Sequence, residues 1–434
     1  MHTGSAMARA GGTRRAARPD RDADPLPVGR RAAVVACVGA GTVVAALAAA
    51  AAGLLTGGRR GAVRGAARAV AGGLQRLGPT ASKVGQLVGA RRDLIGPDWA
   101  DALGVLHDRA RPMPPRQRAA AVRQALADNP RLAEVELTDR LLGSGTVACV
   151  YLGRYRGQEV AVKLRRPGVG RVMAADLRLL RAAAGAAARL SGPGGAPLAD
   201  LVDYMSEAVF RQTDFVAEAR NHLVLAENLR RTPGVRVPRL RTELCGRSVL
   251  VTDFIPDLES GVRGDLSATA LAVAARRALR AVRRMVFEDG FVHCDLHPGN
   301  LYVYGNGTVA MLDAGYAVQV SEPTRRHLDR FFRAMALRDG RTCGEIMFDT
   351  SLDPHGDAGR RAEFVAEMAE HVARHSAPGH RFTIVEFGNG IFEIQSRHGV
   401  YSRSEFVFPL SALMVAEGTL RQLLPSVEVR DGWF

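Results

Sequence analysis

Lysine is almost missing from this chain. Of 59 basic residues only Lys83 and Lys163 are lysines, which leaves 57 arginines. Where the protein merely needs positive charge it uses arginine. The two lysines therefore mark places where a compact ammonium does what a planar guanidinium cannot. Aromatic residues are scarce as well, at 6%, and no basic stripe is interleaved with them. A net charge of +15 thus speaks less for nucleic acid than for anionic lipid or phosphate. Cysteine is thin: Cys37, Cys149, Cys245, Cys294 and Cys343 are odd in number, widely spaced and without a C-x-x-C pair. That argues against a disulfide framework and a structural zinc site, and for a reducing compartment.

Apolar material is ample. The 434 residues are 47% hydrophobic and 24% charged, enough for two or three domains or for one two-lobed enzyme with an extension. Residues 1–31 lack periodicity and read as a disordered basic tail. Residues 32–57 carry no charge and are bracketed by Arg30-Arg31 and Arg59-Arg60. They are long enough to cross a bilayer and read as a transmembrane or anchoring helix, with an Ala-rich soluble helix or a targeting segment as the alternative. Arginines at both ends leave the positive-inside rule without a direction.

Residues 58–134 have a helical pattern broken at Gly78-Pro79 and at Gly96-Pro97. Between the breaks lies K-x-G-Q, Lys83-Val84-Gly85-Gln86. Glycine inside a helix costs about 1 kcal/mol relative to alanine, so its presence hints at close approach by another backbone or a ligand. At Val135 the texture changes to alternating, β-branched residues, which predicts antiparallel strands with a turn at Gly143-Ser144-Gly145 and a strand V-A-V-K ending at Lys163. Helices are expected over 171–190 and 198–230, the second carrying Asp214 and Glu218. A strand over 249–256 runs into a proline and suits a hinge. A long amphipathic helix over 269–289 delivers the chain to Val292.

The stretch from Val292 to Gly315 organises the rest. It reads V-H-C-D-L-H-P-G-N and then M-L-D-A-G, presenting Asp295, Asn300 and Asp313. Two short strands over 301–304 and 309–312, joined at Gly305-Asn306-Gly307, would bring Asp313 back beside Asn300. In phosphoryl transfer a catalytic-loop Asp orients the acceptor, an Asn five residues later holds metal, and the Asp of D-F-G holds metal on the phosphates. A glycine-rich turn followed by V-A-V-K is the matching small-lobe signature, with Gly143, Ser144, Gly145, Thr146 and Val147 over the phosphates and Lys163 beneath them. Glu218 is the candidate partner of Lys163.

With these motifs in this order, the chain resembles the UbiB/AarF-type atypical protein-kinase-like family, tied to isoprenoid quinone biosynthesis. The likeness spans roughly 78–337 and rests on K-x-G-Q with the following R-R-D-L, V-A-V-K-L-R-R-P-G-V, D-F-V-A-E-A-R-N, H-C-D-L-H-P-G-N and L-D-A-G. It implies an α+β, two-lobed protein-kinase-like fold: a small antiparallel β lobe over 135–255, a large helical lobe over 256–434, and a helical extension over the active site. It implies ATP with Mg²⁺, or Mn²⁺ in its place, and a small-molecule or lipid acceptor rather than a protein. Lys163 would pair with Glu218 and the phosphates, Asp295 would be the catalytic-loop Asp, and Asn300 and Asp313 would ligate metal. Lys83 would act at the mouth of the site. Quinone-biosynthesis enzymes and the cytoplasmic face of the membrane are the implied surroundings, without nucleic acid.

Three departures stand out. The family's Ala-rich nucleotide loop is here G-S-G-T-V-A. The acidic partner motif of the K-x-G-Q lysine reads Gln212-Thr213-Asp214, so Lys83 is left to find Asp214, another acid or the phosphates. D-F-G reads D-A-G, losing the aromatic at Ala314. A nucleotide-binding regulatory pseudokinase and an aminoglycoside-phosphotransferase-like enzyme are the alternatives, the latter lacking a K-x-G-Q extension.

Overall fold

The computed structural model describes residues 28–89, 97–104, 111–191, 212–256, 267–297, 299–304, 306–377 and 382–423. Residues 1–27 of the expected basic tail, the R-R-D-L segment and the start of the helix expected from 198 lie outside them; residues 28–31 of that tail are not disordered but open a helix, held by the Arg31–Asp176 pair.

Helix α1 (Val28–Leu77) is broken where Gly57 and Gly58 leave the helical region, at φ −144°, ψ 17° and φ 59°, ψ −153°. The chain reverses there. A Cβ added to Gly61 would collide with Gly53, one on Gly65 with Ala49, and one on Gly73 with Thr42. Close approaches spreading outward from Gly57-Gly58 require two antiparallel arms, and absent side chains let the backbones meet. α2 (Pro79–Gly89) follows Gly78, whose φ of 105° suits only glycine, and α3 (Pro97–Gly104) also begins on a proline, where no N–H is missed.

α4 (Pro115–Asp128) lays Ala121 and Ala125 on the small-lobe sheet. That sheet comprises β1 (Val135–Ser144), β2 (Ala148–Tyr155), β3 (Gln158–Arg165) and, past two helices, β5 (Val249–Asp253), in the order β1-β2-β3-β5. α5 (Val169–Ser191) follows β3, and α6 (Phe215–Leu229) follows the turn at Gln212 and Thr213. The expected single helix through 230 thus begins at Phe215 in the described residues. Asp214 stops it from extending backwards, because its side chain caps the amides of Val216 and Ala217. β4 (Val235–Arg236), which lies between α6 and β5 in the chain, stands outside this sheet and pairs with a strand of the large lobe.

The large lobe opens with α7 (Ala268–Arg283), whose Ala274, Ala275, Ala278 and Ala281 are fully buried and let neighbours pack close. A π turn over 284–289 and Gly290 at φ 62° end it. Then come β6 (Phe291–His293), β7 (Leu301–Val303), β8 (Val309–Met311) and β9 (Ala317–Gln319). β7 and β8 form the expected hairpin, with Leu301 opposite Met311. The β6–β9 pair and the parallel β4–β8 contact were not expected. α8 (Glu322–Ala336), α9 (Gly340–Asp349), α10 (Ala358–His375), α11 (Ile384–His398) and α12 (Ser404–Leu423) close the chain. Ser321, Asp339, Asp357 and Thr383 each cap one of these helices through the side chain, a device that contributes about 1 kcal/mol apiece. Phe331 sits at the centre of the core, 5.7 Å from Phe406 and 6.4 Å from Phe387 between ring centroids.

Candidate active site

Strand alternation sets the first side chain. Val160, Val162 and Leu164 on β3 point into the core at 0% exposure, which turns Lys163 to the opposite face. α6 sends Glu218 towards it from the first turn after the Asp214 cap. Lys163 Nζ donates to Glu218 Oε1 at 2.5 Å and to Asp313 Oδ2 at 2.7 Å. Two carboxylates thus share one ammonium, and burial disfavours every charge in the group. The Lys163 ammonium is nevertheless held above its usual range, because Asp313 and Glu218 outweigh its desolvation. Between the acids, Asp313 keeps the charge: Lys163 and the Gly315 amide hold it well below the ordinary carboxylate range despite burial. Glu218 is pushed up to about 8, by burial and by the Asp313 charge. Its Oε2 is buried and accepts no hydrogen bond among the described residues.

Asp313 itself sits at φ 46°, a left-handed conformation uncommon outside glycine, and its Oδ1 accepts from Gly315 N at 2.9 Å. A Cβ on Gly315 would lie 2.9 Å from that oxygen and 3.2 Å from Glu218 Oε2, so the glycine of D-A-G leaves room for both acids. Ala314 is fully buried, and its carbonyl accepts from Asn221 Nδ2 at 3.1 Å.

The loop that carries Asp295 and Asn300 is clipped to this strand end by a histidine. His293 is 1% exposed, its Nδ1 accepts from Asp295 N at 3.1 Å, and its Nε2 reaches Leu312 O at 3.1 Å. Since Nδ1 must accept, the proton sits on Nε2 and is donated to Leu312. Asn300 Nδ2 donates to Asp295 O at 2.9 Å, while Leu312 N donates to Asn300 O at 2.8 Å. The hairpin therefore sets Asp313 next to Asn300, with Asp295 on the same wall. His297 accepts from Gly299 N through Nδ1, and its Nε2 lies 4.0 Å from Asp295 Oδ2. Sequence reasoning quoted these histidines and Asn221 within motifs without giving them work. Their only signal was membership of H-C-D-L-H and E-A-R-N.

Lys83 meets Asp295. The ammonium lies 3.2 Å from Asp295 Oδ2, with the two side chains 12% and 27% exposed. Asp214, named above as an available partner, is occupied in capping α6. Burial opposes ionisation of Asp295, yet Lys83, His297 and His293 together hold its carboxyl below the ordinary range. Val84, the next residue, packs with Val147 of the glycine turn against Val169 and Met173. The extension thus touches both the Asp295 loop and the glycine turn.

That turn, Gly143 to Val147, joins β1 to β2 with Gly145 N donating to Ala148 O at 2.9 Å. Arg166, just past β3, latches it: Nε donates to Gly145 O at 2.9 Å, Nη2 to Ser144 Oγ at 3.0 Å and to Arg111 O at 2.6 Å. Arg166 too lay unassigned within a quoted motif. Thr146 is half-buried in the same turn.

Among the described residues no group of three His, Cys, Asp or Glu side chains could hold a metal alone. A magnesium ion needs only one or two protein oxygens when phosphate and water supply the rest. Asp313 and the amide oxygen of Asn300 fit that donor chemistry. Asp313 Oδ2 now serves Lys163, and Lys163 has Glu218 to keep when that oxygen is withdrawn.

A small antiparallel sheet over a helical lobe, with lysine, glutamate and two aspartates converging at their junction, defines a kinase-like protein. Residues 105–347, more than half of the chain, match the ABC1 atypical kinase-like domain, and the chain belongs to that family. It is 29% identical over 388 residues to a protein called "Probable protein kinase UbiB" from Aeromonas hydrophila, which covers 86% of this chain and 69% of the relative. Among solved structures it is similar to one described as a complex of Rv3197 with erythromycin from Mycobacterium tuberculosis. There the TM-score is 0.49 and the identity 20%, over 78% of this chain and 87% of the other.

Proposed function

We propose that the chain binds a magnesium–ATP complex between the Gly143–Val147 turn and the Val292–Gly315 segment. With it the protein works as an atypical kinase or ATPase at a membrane, on an isoprenoid-quinone precursor or another lipid-like small molecule. The observation that carries this reading is the Lys163–Glu218–Asp313 cluster with Asn300 and Asp295 alongside. When bound, the metal–nucleotide supplies the transferable phosphoryl group and the cation that shields it. The protein residues do the rest. Lys163 would hold phosphate oxygens in place of Asp313 while keeping Glu218. Asp313 and the Asn300 amide oxygen would hold the metal. The turn from Gly143 through Ser144, Gly145 and Thr146 to Val147 would cover the phosphates, with Arg166 holding it in shape. Asp295, ionised at neutral pH, accepts the hydrogen bond of the acceptor hydroxyl or water and orients it.

The Lys83–Asp295 contact supports a small or lipid-like acceptor, because α2 lies where an acceptor must reach Asp295. The same contact favours the second reading, a regulatory nucleotide-binding protein with slow turnover, since the catalytic-loop carboxylate is already paired.

ATP should raise the melting temperature only when Mg²⁺ or Mn²⁺ is present. At a hundredfold excess over Kd the gain is about 2.7 kcal/mol, or several degrees for a chain of this size. Asp313→Asn should abolish the shift while the apo protein stays folded. An unchanged shift in that variant removes Asp313 from the site. Turnover then separates the two readings: hydrolysis or transfer by the metal-loaded parent favours the enzyme, and binding without turnover the regulator.

A further inference from the structure

The α1 hairpin has a role that the nucleotide site does not need. Its first arm has two faces. One packs on the second arm through Thr42, Ala49 and Gly53, opposite Gly73, Gly65 and Gly61. The other is bare: Val34, Val43, Val44, Leu47, Leu54 and Leu55 are 42–89% exposed, and Cys37 is exposed beside them. No charge interrupts residues 32–58. The hairpin's charge is all of one sign. Val28–Leu77 contains seven arginines and no acid, with exposed Arg30 at the base and exposed Arg59 and Arg60 at the tip.

The hairpin is fastened at two levels. At its base Arg31 pairs with Asp176 on α5 and donates to the Leu77 carbonyl, and nearer the tip Arg64 Nε lies 2.8 Å from Asp98 Oδ1 on α3 of the extension. In this arrangement the apolar arm cannot cross a bilayer alone. Its partner arm would be drawn in with it, carrying Arg60, Arg64 and Arg68 into hydrocarbon, which is costly. A second copy of the chain is a poor occupant for the bare face, since it would set exposed arginines such as Arg30, Arg59 and Arg60 against their like. The glycine seam that usually joins helices is already spent within the hairpin. An anionic bilayer surface satisfies both features, taking the apolar face among the upper acyl chains and the arginines among phosphate headgroups.

We propose that the hairpin seats the protein in the plane of an anionic membrane surface without crossing it. Leu47 and Leu54 are buried in lipid, and the Gly57-Gly58 tip stays on the same side as the two lobes. The inference stands whether or not the nucleotide reading does.

The test uses the full chain with phosphatidylcholine vesicles containing about a third phosphatidylglycerol, in a Cys37→Ser background. A cysteine is placed at the tip (Thr56→Cys) or, as a reference, on exposed α10 (Glu363→Cys), and labelling of the background protein is subtracted. A membrane-impermeant maleimide added to intact vesicles should modify both cysteines to within twofold. Protection of Thr56→Cys until detergent is added would mean a spanning helix and overturn the proposal. Co-sedimentation with the same vesicles should fall at least tenfold in Leu47→Asp/Leu54→Asp, whose side chains point to solvent and bear no part of the fold. It should also fall at least tenfold for the parent on pure phosphatidylcholine. Equal binding by the double variant, or no vesicle binding by the parent, would equally overturn it.

Discussion

Lys83 and Lys163 are the only lysines in the chain, and each ends on a carboxylate of the candidate site. A guanidinium is wider and planar, so arginine keeps the charge without fitting the pocket. Lys83→Ala and Lys83→Arg should each change ATP affinity or basal hydrolysis by several-fold without unfolding the protein. Arg31→Lys, remote from Asp295, should leave both unchanged. If Lys83→Arg matches the parent in nucleotide affinity and hydrolysis, Lys83 has no gating role. At this scale the juxtaposition was legible: the hairpin sets Asp313 beside Asn300 as the spacing implied, with Asp295 on the same wall. The partner of Lys83 was not, because it lies 212 positions away and nothing local encodes it. Of the partners left open, another acid is the one found, and Asp214 is unavailable because a carboxylate just before a helix is drawn to the free amides of its first turn.

Elements were legible where they were long or bounded by glycine and proline. The breaks at Gly78-Pro79 and before Pro97 fall where expected, as does the β7–β8 hairpin. The three-residue strands β6 and β9 are too short for any period to show, and only tertiary pairing makes them strands. The hairpin in α1 was missed because Gly57-Gly58 was taken as the end of an apolar segment rather than a reversal. Its signal was present in Gly61, Gly65 and Gly73, small residues on one helical face. Gly65→Leu should therefore push the arms apart, costing about 1–3 kcal/mol. Amide hydrogen exchange should rise across residues 38–53, with the ATP-induced thermal shift intact. Unaltered exchange there would mean that the arms do not pack at this point.

On the scale of the whole molecule, the order of the motifs made the two-lobed fold readable, while the interlocking of the C-terminal helices was not. His371 on α10 shows why. It stacks on Phe387 of α11 at 4.9 Å, with Nε2 reaching the Phe387 carbonyl at 2.9 Å, a pairing between distant helices that no spacing announces. Burial lowers its pKa to about 4, with Phe387 opposing and His375 and Arg374 adding to the shift. The unfolded chain then binds a proton that the folded one refuses between pH 6.5 and about 4. Stability present above pH 6.5 is therefore lost as pH falls through that window, on the order of 3 kcal/mol. His371→Gln keeps a donor for the carbonyl but does not titrate, so its melting temperature should fall less than the parent's between pH 7 and 5. Equal acid sensitivity would clear His371 of that role.

The central claim is that Lys163, Glu218, Asp313, Asn300 and Asp295 form one metal-dependent nucleotide site. Isothermal titration calorimetry of ATP into the full chain, with Mg²⁺ and then with EDTA, tests it most directly. The account predicts saturable one-to-one binding with Mg²⁺ that weakens at least tenfold in EDTA, and at least tenfold again when Lys163→Ala or Asp313→Asn is titrated with the metal present. Binding of equal strength with and without the metal, or indifferent to both substitutions, would contradict it.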